Sequence, residues 1–472
     1  MSVQGERAVV VGGSIGGLVA ARVLSDHFAE VTILERDGLP ETPGPRRGVP
    51  QSVHLHGLTL GGRLALDEIY GDDAFTEGMR GAGAAYFDFF KHQAVLLPEG
   101  WLRRAPSDVK AVYGSRSCME HVIRTLTRKI PNISFRTGQA IGLRAGSDGK
   151  RVSGVQFLDD AGSAEVLDTE LVVDATGRGS RAPRWMEELG YRAPEDSIVE
   201  PFLGYATVYC RIPDDAWPGD VRAVGAPPMR PGFTRGGYVI PQENGLSVVM
   251  AAGTNHDHPP GDEPGFTEFL RTANTSVFYD TWRAAEQVTE IKTTRTSTNR
   301  LRHWQAMPSR PAGFLAIADA VVAFNPVYGQ GITTAALQSK ALQRRLRADS
   351  RVDELVDRFP QDALELSMFA WVSSTLGDVQ FPKTQVTNAE LVAPSQRELF
   401  YLKQIRLLAT EDAYVAQQYF QAISFMRPDW LQTPELSRLA ADRASGPQEP
   451  VADVSQPPPW ADAERPKVPA TV

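Results

Sequence analysis

Near the amino end, apolar and polar positions alternate in blocks whose lengths predict specific elements. Residues 8–11 (AVVV) are an unbroken apolar run of strand length, followed by a glycine-rich turn at 12–17. Residues 18–28 read as a helix rich in small side chains, and 31–34 as a second buried strand ending at Glu35. That order and spacing predict a βαβ unit with parallel strands. Far downstream, 314–317 predict a buried strand, 326–331 a proline-glycine turn, and a long helix starts at about Ile332. Residues 171–173 predict a strand ending at Asp174, and Arg116 precedes an amphipathic helix. LGYATVYCRI, RGGYVIP and LSVVMAAGT carry the branched and aromatic side chains of antiparallel strands. From Val352 to about Asp442 the pattern is mostly helical, with a break at Pro382.

The first turn has chemistry to offer. Gly12 permits a tight turn, and Gly17 lets helix and strand approach closely. Ser14 stands where the dinucleotide-binding fingerprint has its middle glycine; it is small, and its hydroxyl could donate to a phosphate oxygen. Ile15 and Gly16 complete the turn as further cofactor contacts, and the free amides at the start of the following helix predict an anion site. Glu35, 23 positions after Gly12, is placed to accept from a ribose hydroxyl, with Arg36 beside it. The turn predicts a bound dinucleotide.

Bulk properties narrow the setting. A chain of 472 residues, 42% hydrophobic, is long enough for two or three domains. The formal net charge of −8 and the absence of a concentrated basic surface argue against nucleic acid. Two cysteines, Cys118 and Cys210, indicate neither a disulfide framework nor a cysteine-rich metal site. No basic leader precedes the first apolar run, and no segment is long enough to span a bilayer, so the expected location is the cytoplasm.

The segment GFLAIADAVVAFNPVYGQGITTAALQSKAL, with Asp319, Pro326, Gly329, Gly331 and Ile332, resembles the second FAD signature of flavoprotein monooxygenases of the p-hydroxybenzoate hydroxylase fold. LVVDATGRGSRAPRW resembles that family's middle motif, and Arg116 in YGSRSCMEHVIRTL its flavin-contacting arginine. The resemblance implies FAD. It places Asp319 by the ribityl and diphosphate side and aims the helix after Gly331 at the flavin pyrimidine ring. A helix amino end stabilises negative charge there by up to about 2 kcal/mol in a partly buried site. Gly329 and Gly331 would let the backbone lie flat against the ring.

PRRGVPQSVHLHGL, DATGRGS, AFNPVYGQG and FAWVSSTLGDVQFPKTQ are similar to the alkene epoxidases of polyether antibiotic biosynthesis, such as those for lasalocid and monensin. In that group, reduced flavin captures O2 as a C4a-hydroperoxide, whose terminal oxygen is attacked by an electron-rich alkene. The protein then mainly orients substrate and excludes water, so no triad is expected. Three departures stand out: Ala318-Asp319 for the Gly-Asp of aromatic hydroxylases, Asp174-Ala175 for their Asp-Gly, and Thr333 for their asparagine. They imply that NAD(P)H supplies electrons either directly or through a flavin reductase. The halogenases of this scaffold have two tryptophans before Ile-Pro; Gly236 and Tyr238 hold those places.

The expected architecture is α/β: a Rossmann-like FAD-binding domain (1–70, 107–185, 295–351) interleaved with an antiparallel-sheet substrate domain (71–106, 186–294). A C-terminal helical region (352–442) and a proline-rich tail (443–472) follow. The expected activity is an FAD-dependent monooxygenase of secondary metabolism that inserts one oxygen atom from O2 into a largely apolar polyketide or terpenoid-like substrate. Alkene epoxidation is preferred over hydroxylation, and an FAD-dependent reductase or dehydrogenase is the rival. Arg47 is favoured over Arg46 as a cofactor contact from its place in the motif, with a solvated basic turn as the plain alternative. His54 and His56 share one side if extended, near the flavin or simply satisfying local bonds. His256 and His258 sit in a proline-bounded loop, and no metal is expected there. The aromatic run 84–90, Tyr238 and Phe324 fit either a substrate channel or ordinary packing.

Overall fold

A computed structural model of the chain describes residues 5–228, 231–295, 298–348, 351–388 and 395–446. Its centre is a five-stranded sheet in the order Phe314–Ala316, Leu171–Asp174, Gly5–Val11, Phe28–Glu35 and Ile133–Thr137. Every pairing in this sheet is parallel. Strands buried on both faces read as continuous apolar runs rather than alternating ones, which is why Ala8 to Val11 carry no polar position. The helix Ile15–Leu24 covers one face with Leu18, Val19 and Val23, against the helix Gly331–Ala348.

The first helix lies earlier than its sequence pattern suggests. Only Gly12, at φ +106°, leaves ordinary backbone geometry, so the turn is complete by Ser14 and the amide of Leu18 bonds the carbonyl of Ser14 at 2.9 Å. At the other end Phe28, expected in the helix, is drawn into the second strand by pairing with Gly5. Arg116 likewise does not precede its helix but is the first residue of Arg116–Arg128, which is capped by the Ser115 hydroxyl.

A second, mostly antiparallel sheet is built around Gly204–Arg211, Ser247–Gly253 and Arg235–Pro241. Helices Glu263–Arg271 and Val277–Ala284 cover it, and Phe266, Phe278 and Trp282 fill the space between. The run 84–90 divides: Ala85–Asp88 is a strand, whereas Phe89 and Phe90 start a short helix and pack on Phe420. Phe75 and Met79, in a stretch expected to open the substrate domain, lie in the core of the parallel sheet.

The helix Val352–Asp378 runs 27 residues and continues through Pro360. The break expected at Pro382 lies just past its end. Helices Gln396–Glu411, Ala413–Ile423 and Pro434–Ser445 make a separate core around Ile405, Ala416, Trp430 and Leu436. Most of the proline-rich tail, 447–472, lies outside the described residues. Cys118 and Cys210 are buried free thiols. Among the described residues no helix is long and apolar enough to cross a membrane. The chain is thus α/β, with a Rossmann-like parallel sheet, antiparallel sheets and C-terminal helices.

Candidate functional site

A cavity of about 960 Å³ runs along the carboxyl ends of the parallel strands, where open α/β sheets bind their ligands. It is lined by Gly12, Ser14, Ile15, Gly16, Glu35, Arg36, Arg116, Asp319, Pro326, Gly329, Gly331 and Ile332, which residues far apart in the chain bring together. Two of the expected site residues stand elsewhere. Gly17 packs beneath the turn, where any side chain would run into the carbonyl of Gly12. Arg47 is exposed and does not line the cavity; its neighbour Arg46 does. The turn 46–49 is closed by a bond from Val49 to the Arg46 carbonyl, and Asp37 grips both Arg46 and the amide of Gly48. Arg46 is thereby turned inward.

At the first-turn end, the site is a network of paired charges. Glu120 receives Arg46 Nε at 2.8 Å and Arg116 Nη1 at 2.7 Å. Arg116 Nη2 also donates to Ser14 Oγ at 2.6 Å, and Ser14 Oγ donates to Glu120 at 3.1 Å. The Ser14 proton is therefore committed to a carboxylate instead of to an incoming phosphate. Although Ser14 is the N-cap residue of Ile15–Leu24, its side chain makes no capping bond. The helix thus presents its first amides, with the positive end of its dipole, beside the cavity. Burial pushes Glu120 up, but the charges and hydrogen bonds of Arg116 and Arg46 bring it below the ordinary carboxylate value. Glu35 accepts from the amides of Gly13 at 2.6 Å and Asp37 at 3.0 Å, so it fixes the glycine turn while still lining the cavity.

Asp319 is built differently. Burial raises it above the usual carboxylate value, with Arg178 and Arg116 opposing, and it accepts no hydrogen bond from the described residues while facing the cavity. Preceding it, Ala318 has φ +57°, a left-handed conformation that suits glycine and costs an alanine about 1 kcal/mol. The strain is held by a 2.6 Å bond from the Ala318 amide to the buried Gln338 side chain. Its methyl group fills the space that a side chain at Gly16 would need.

At the other end, Gly329 (φ +63°) lies so close to Gly57 that a Cβ on Gly57 would sit 2.7 Å from its Cα. The turn Pro326–Tyr328 is capped by the Asn325 side chain, which accepts from the amide of Val327 at 3.2 Å. Tyr238 of the second sheet donates to the Val327 carbonyl at 2.8 Å, and Arg178 Nη2 to that of Phe324 at 2.7 Å. His54 and His56 both line the cavity. His54 is held at about 4 by burial, with Nδ1 3.0 Å from Thr207 Oγ1 and its ring edge-on to Tyr205. His56 is held at about 3 by burial and by Arg116, and its Nδ1 lies 3.0 Å from the His54 carbonyl. A carbonyl only accepts, so Nδ1 of His56 carries the proton and Nε2 is an acceptor. Both rings are neutral near pH 7.

The loop histidines are occupied elsewhere: His256 stacks on Phe202 at 4.1 Å, and His258 Nε2 lies 3.0 Å from the Phe202 carbonyl. Among the described residues no group of three or more His, Cys, Asp or Glu is arranged to hold a metal ion. Glu120 and Lys292 were not singled out by sequence reasoning, and Arg178 was read only as part of the turn in LVVDATGRGSRAPRW. Glu120 had a readable signal, four positions after Arg116 on a predicted helix. Lys292 comes from a chain crossing that no local pattern encodes.

The donor set suits a dinucleotide with a polyol arm. Uncapped amides and arginines offer donors suited to a diphosphate, while Glu35 at one side and Asp319 at the other offer acceptors to hydroxyl groups. No family model matches the sequence. The fold is similar to that of the flavin-dependent brominase Bmp2 (12% identity, TM-score 0.61, 93% of this chain and 100% of that one). It is also similar to the myxobacterial chondrochloren halogenase CndH (17% identity, TM-score 0.59, 96% and 99%). A third likeness is p-nitrophenol 4-monooxygenase PnpA of Pseudomonas putida DLL-E4 (16% identity, TM-score 0.58, 90% and 98%). In sequence, 393 residues are 30% identical to Protein Rv3254 of Mycobacterium tuberculosis (strain ATCC 25618 / H37Rv), covering 80% of this chain and 81% of that protein. The chain belongs to the family of Protein Rv3254.

Proposed function

We propose that the cavity holds FAD and that the chain is an FAD-dependent monooxygenase, with epoxidation of an alkene in a largely apolar polyketide or terpenoid-like substrate as its reaction. The observation that carries this reading is the pairing of two distant acceptors, Glu35 and Asp319, across an uncapped helix start in one continuous cavity. When bound, the flavin would take electrons from NAD(P)H, directly or through a flavin reductase, and activate O2. The chain's own residues bind and orient. Arg46 and Arg116 would meet the diphosphate, Asp319 the ribityl arm, and the backbone of 329–331 the ring. His56 Nε2 offers a neutral acceptor beside that backbone and brings no extra charge.

Leu55 and Tyr205 beside the histidines, with Ile291 and Phe324 elsewhere in the lining, give the cavity apolar and aromatic surface, which supports an apolar substrate over a charged one. Halogenation, the activity named for two of the structural relatives, finds less support here. Gly236 and Tyr238 stand where the two tryptophans would be, and a side chain at 236 would run into the carbonyl of Ala226.

The test is turnover of candidate alkenes under 18O2 with an electron donor present. One labelled oxygen in an epoxide product is expected. A product carrying label at a hydroxyl group would move the reading to the hydroxylase alternative. Substrate conversion in the absence of O2 would replace it with a reductase or dehydrogenase.

A further inference from the structure

The helix Val352–Asp378 belongs to the C-terminal region, yet it is bonded at three levels to the helix Gly331–Ala348 and the turn before it, which bound the cavity. Ser367 accepts from Gln338, whose oxygen holds the strained amide of Ala318. Ser374 donates to the Gln330 side chain at 2.9 Å, and Gln330 donates to Ser373 at 3.1 Å. At the end of the helix Asp378, 2% exposed, accepts from Asn299 Nδ2 at 2.6 Å, Asn325 Nδ2 at 3.2 Å and the Tyr328 hydroxyl at 2.9 Å. Tyr328 also rests where a side chain at Gly377 would stand.

Of the contacts of Asp378, Asn325 lines the cavity and Tyr328 precedes Gly329, which does. Asn325 and Pro326 line the cavity, but Asp378 itself does not. Asn325 is fully used: its side-chain oxygen caps Val327, its side-chain nitrogen donates to Asp378, and its backbone amide donates to Asn299 Oδ1 at 2.7 Å. Among the described residues no lysine or arginine pairs with Asp378. The charged or titratable groups facing it are Glu200 and Tyr328, neither of them cationic. Burial raises the Asp378 carboxyl to about 7, against the three hydrogen bonds.

We propose that Asp378 is a positioning residue for the flavin-bearing turn: a buried carboxylate without a counter-ion that fixes Asn325 and Tyr328, and through them the cavity wall at 325–331. The inference rests on the reading of this cavity as an FAD site. It explains why a segment remote in sequence, SSTLGD, buries Ser374 and Asp378 against the cavity wall. Three donors converge on two carboxylate oxygens, so an amide at 378 keeps the shape of the junction but cannot ionise, whereas an alanine leaves three buried donors unsatisfied.

The experiment compares wild type, Asp378→Asn, Asp378→Ala and Tyr328→Phe, using FAD titration by flavin fluorescence, the visible spectrum of bound flavin, and thermal unfolding of the FAD-free chain. Asp378→Ala is expected to weaken FAD binding at least tenfold and to shift the flavin bands. Asp378→Asn should restore affinity to within about threefold of wild type, and Tyr328→Phe should lie between. Unfolding of the wild type should show a pH dependence between 6 and 8 that Asp378→Asn lacks. If Asp378→Ala does not fold, the proposal stands or falls on the other two variants. Wild-type affinity in Tyr328→Phe together with an unchanged pH profile in Asp378→Asn would overturn it. Failure of the wild type itself to bind FAD would refute the cofactor reading, a separate outcome.

Discussion

At the end of the cavity formed by Ser14 and Glu35, with Glu120 behind it, the carboxylates have arginines within reach: Arg46 touches both, and Arg116 holds Glu120. At the end formed by 325–331, Asp378 meets two amides and a phenol. Both ends bury carboxylates in a wall that cannot relax, but they solve the problem by different means. Paired charges keep Glu120 ionised across the neutral range. Neutral donors leave Asp378 near its titration point. The difference teaches that one cavity can have fixed charge behind its Ser14 end and adjustable charge behind its 325–331 end.

The largest expected effect comes from breaking the paired end. Glu120→Ala leaves Arg46 and Arg116 buried without their shared partner, and should cost about 3–5 kcal/mol of stability in chemical denaturation at pH 7. The pH profile sharpens the contrast. Because Glu120 is held low, its stabilisation is present above its unfolded value and lost as pH falls through the folded value, so a Glu120 variant should flatten the acid side of the stability curve. Asp378 is raised, so its contribution is present at low pH and lost as pH rises through about 7. Asp378→Asn should therefore be more stable than wild type at pH 8, by about 2 kcal/mol relative to their difference at pH 5.

Next in size are the hydroxyl acceptors. Glu35→Ala and Asp319→Ala should each weaken FAD binding about tenfold, about 1.4 kcal/mol, by isothermal titration. Glu35→Ala should also lower stability, since it frees the amides of Gly13 and Asp37, while Asp319→Ala should not. Tyr238→Phe removes the bond to the Val327 carbonyl and should cost about 1 kcal/mol in thermal unfolding. Arg47→Ala should leave both FAD affinity and melting temperature unchanged, in contrast to Arg46→Ala. An equal loss in the two would return the contact to the exposed arginine.

Much of the paired end was legible in the sequence, because its residues sit in a βαβ unit whose spacing is set by local geometry. Gly12 and Glu35 fall where the pattern puts them, while the helix begins three residues early, at Ile15. The choice between Arg46 and Arg47 was not legible. Adjacent residues in a turn point in opposite directions, and which one faces inward depended on Asp37 closing that turn. Ser14 was readable as a departure from the fingerprint, but not as a hydroxyl bound between Arg116 and Glu120, which lie about a hundred positions away. Asp378 was the least legible. An acidic residue at a helix end usually reads as surface, and only the packing of that helix beneath residues 325–330 buries it. The three corrections to element ends have one cause: pairing and capping partners, not propensity, set where a strand or helix stops.

The account depends most directly on one FAD molecule occupying this cavity. The decisive measurement is the flavin content of the purified chain after incubation with excess FAD and gel filtration, read from its visible absorbance per mole of protein. The account predicts close to one FAD per chain in the wild type, with clear loss in Glu35→Ala and Asp319→Ala. A chain that emerges colourless, or that retains flavin equally in both variants, contradicts it.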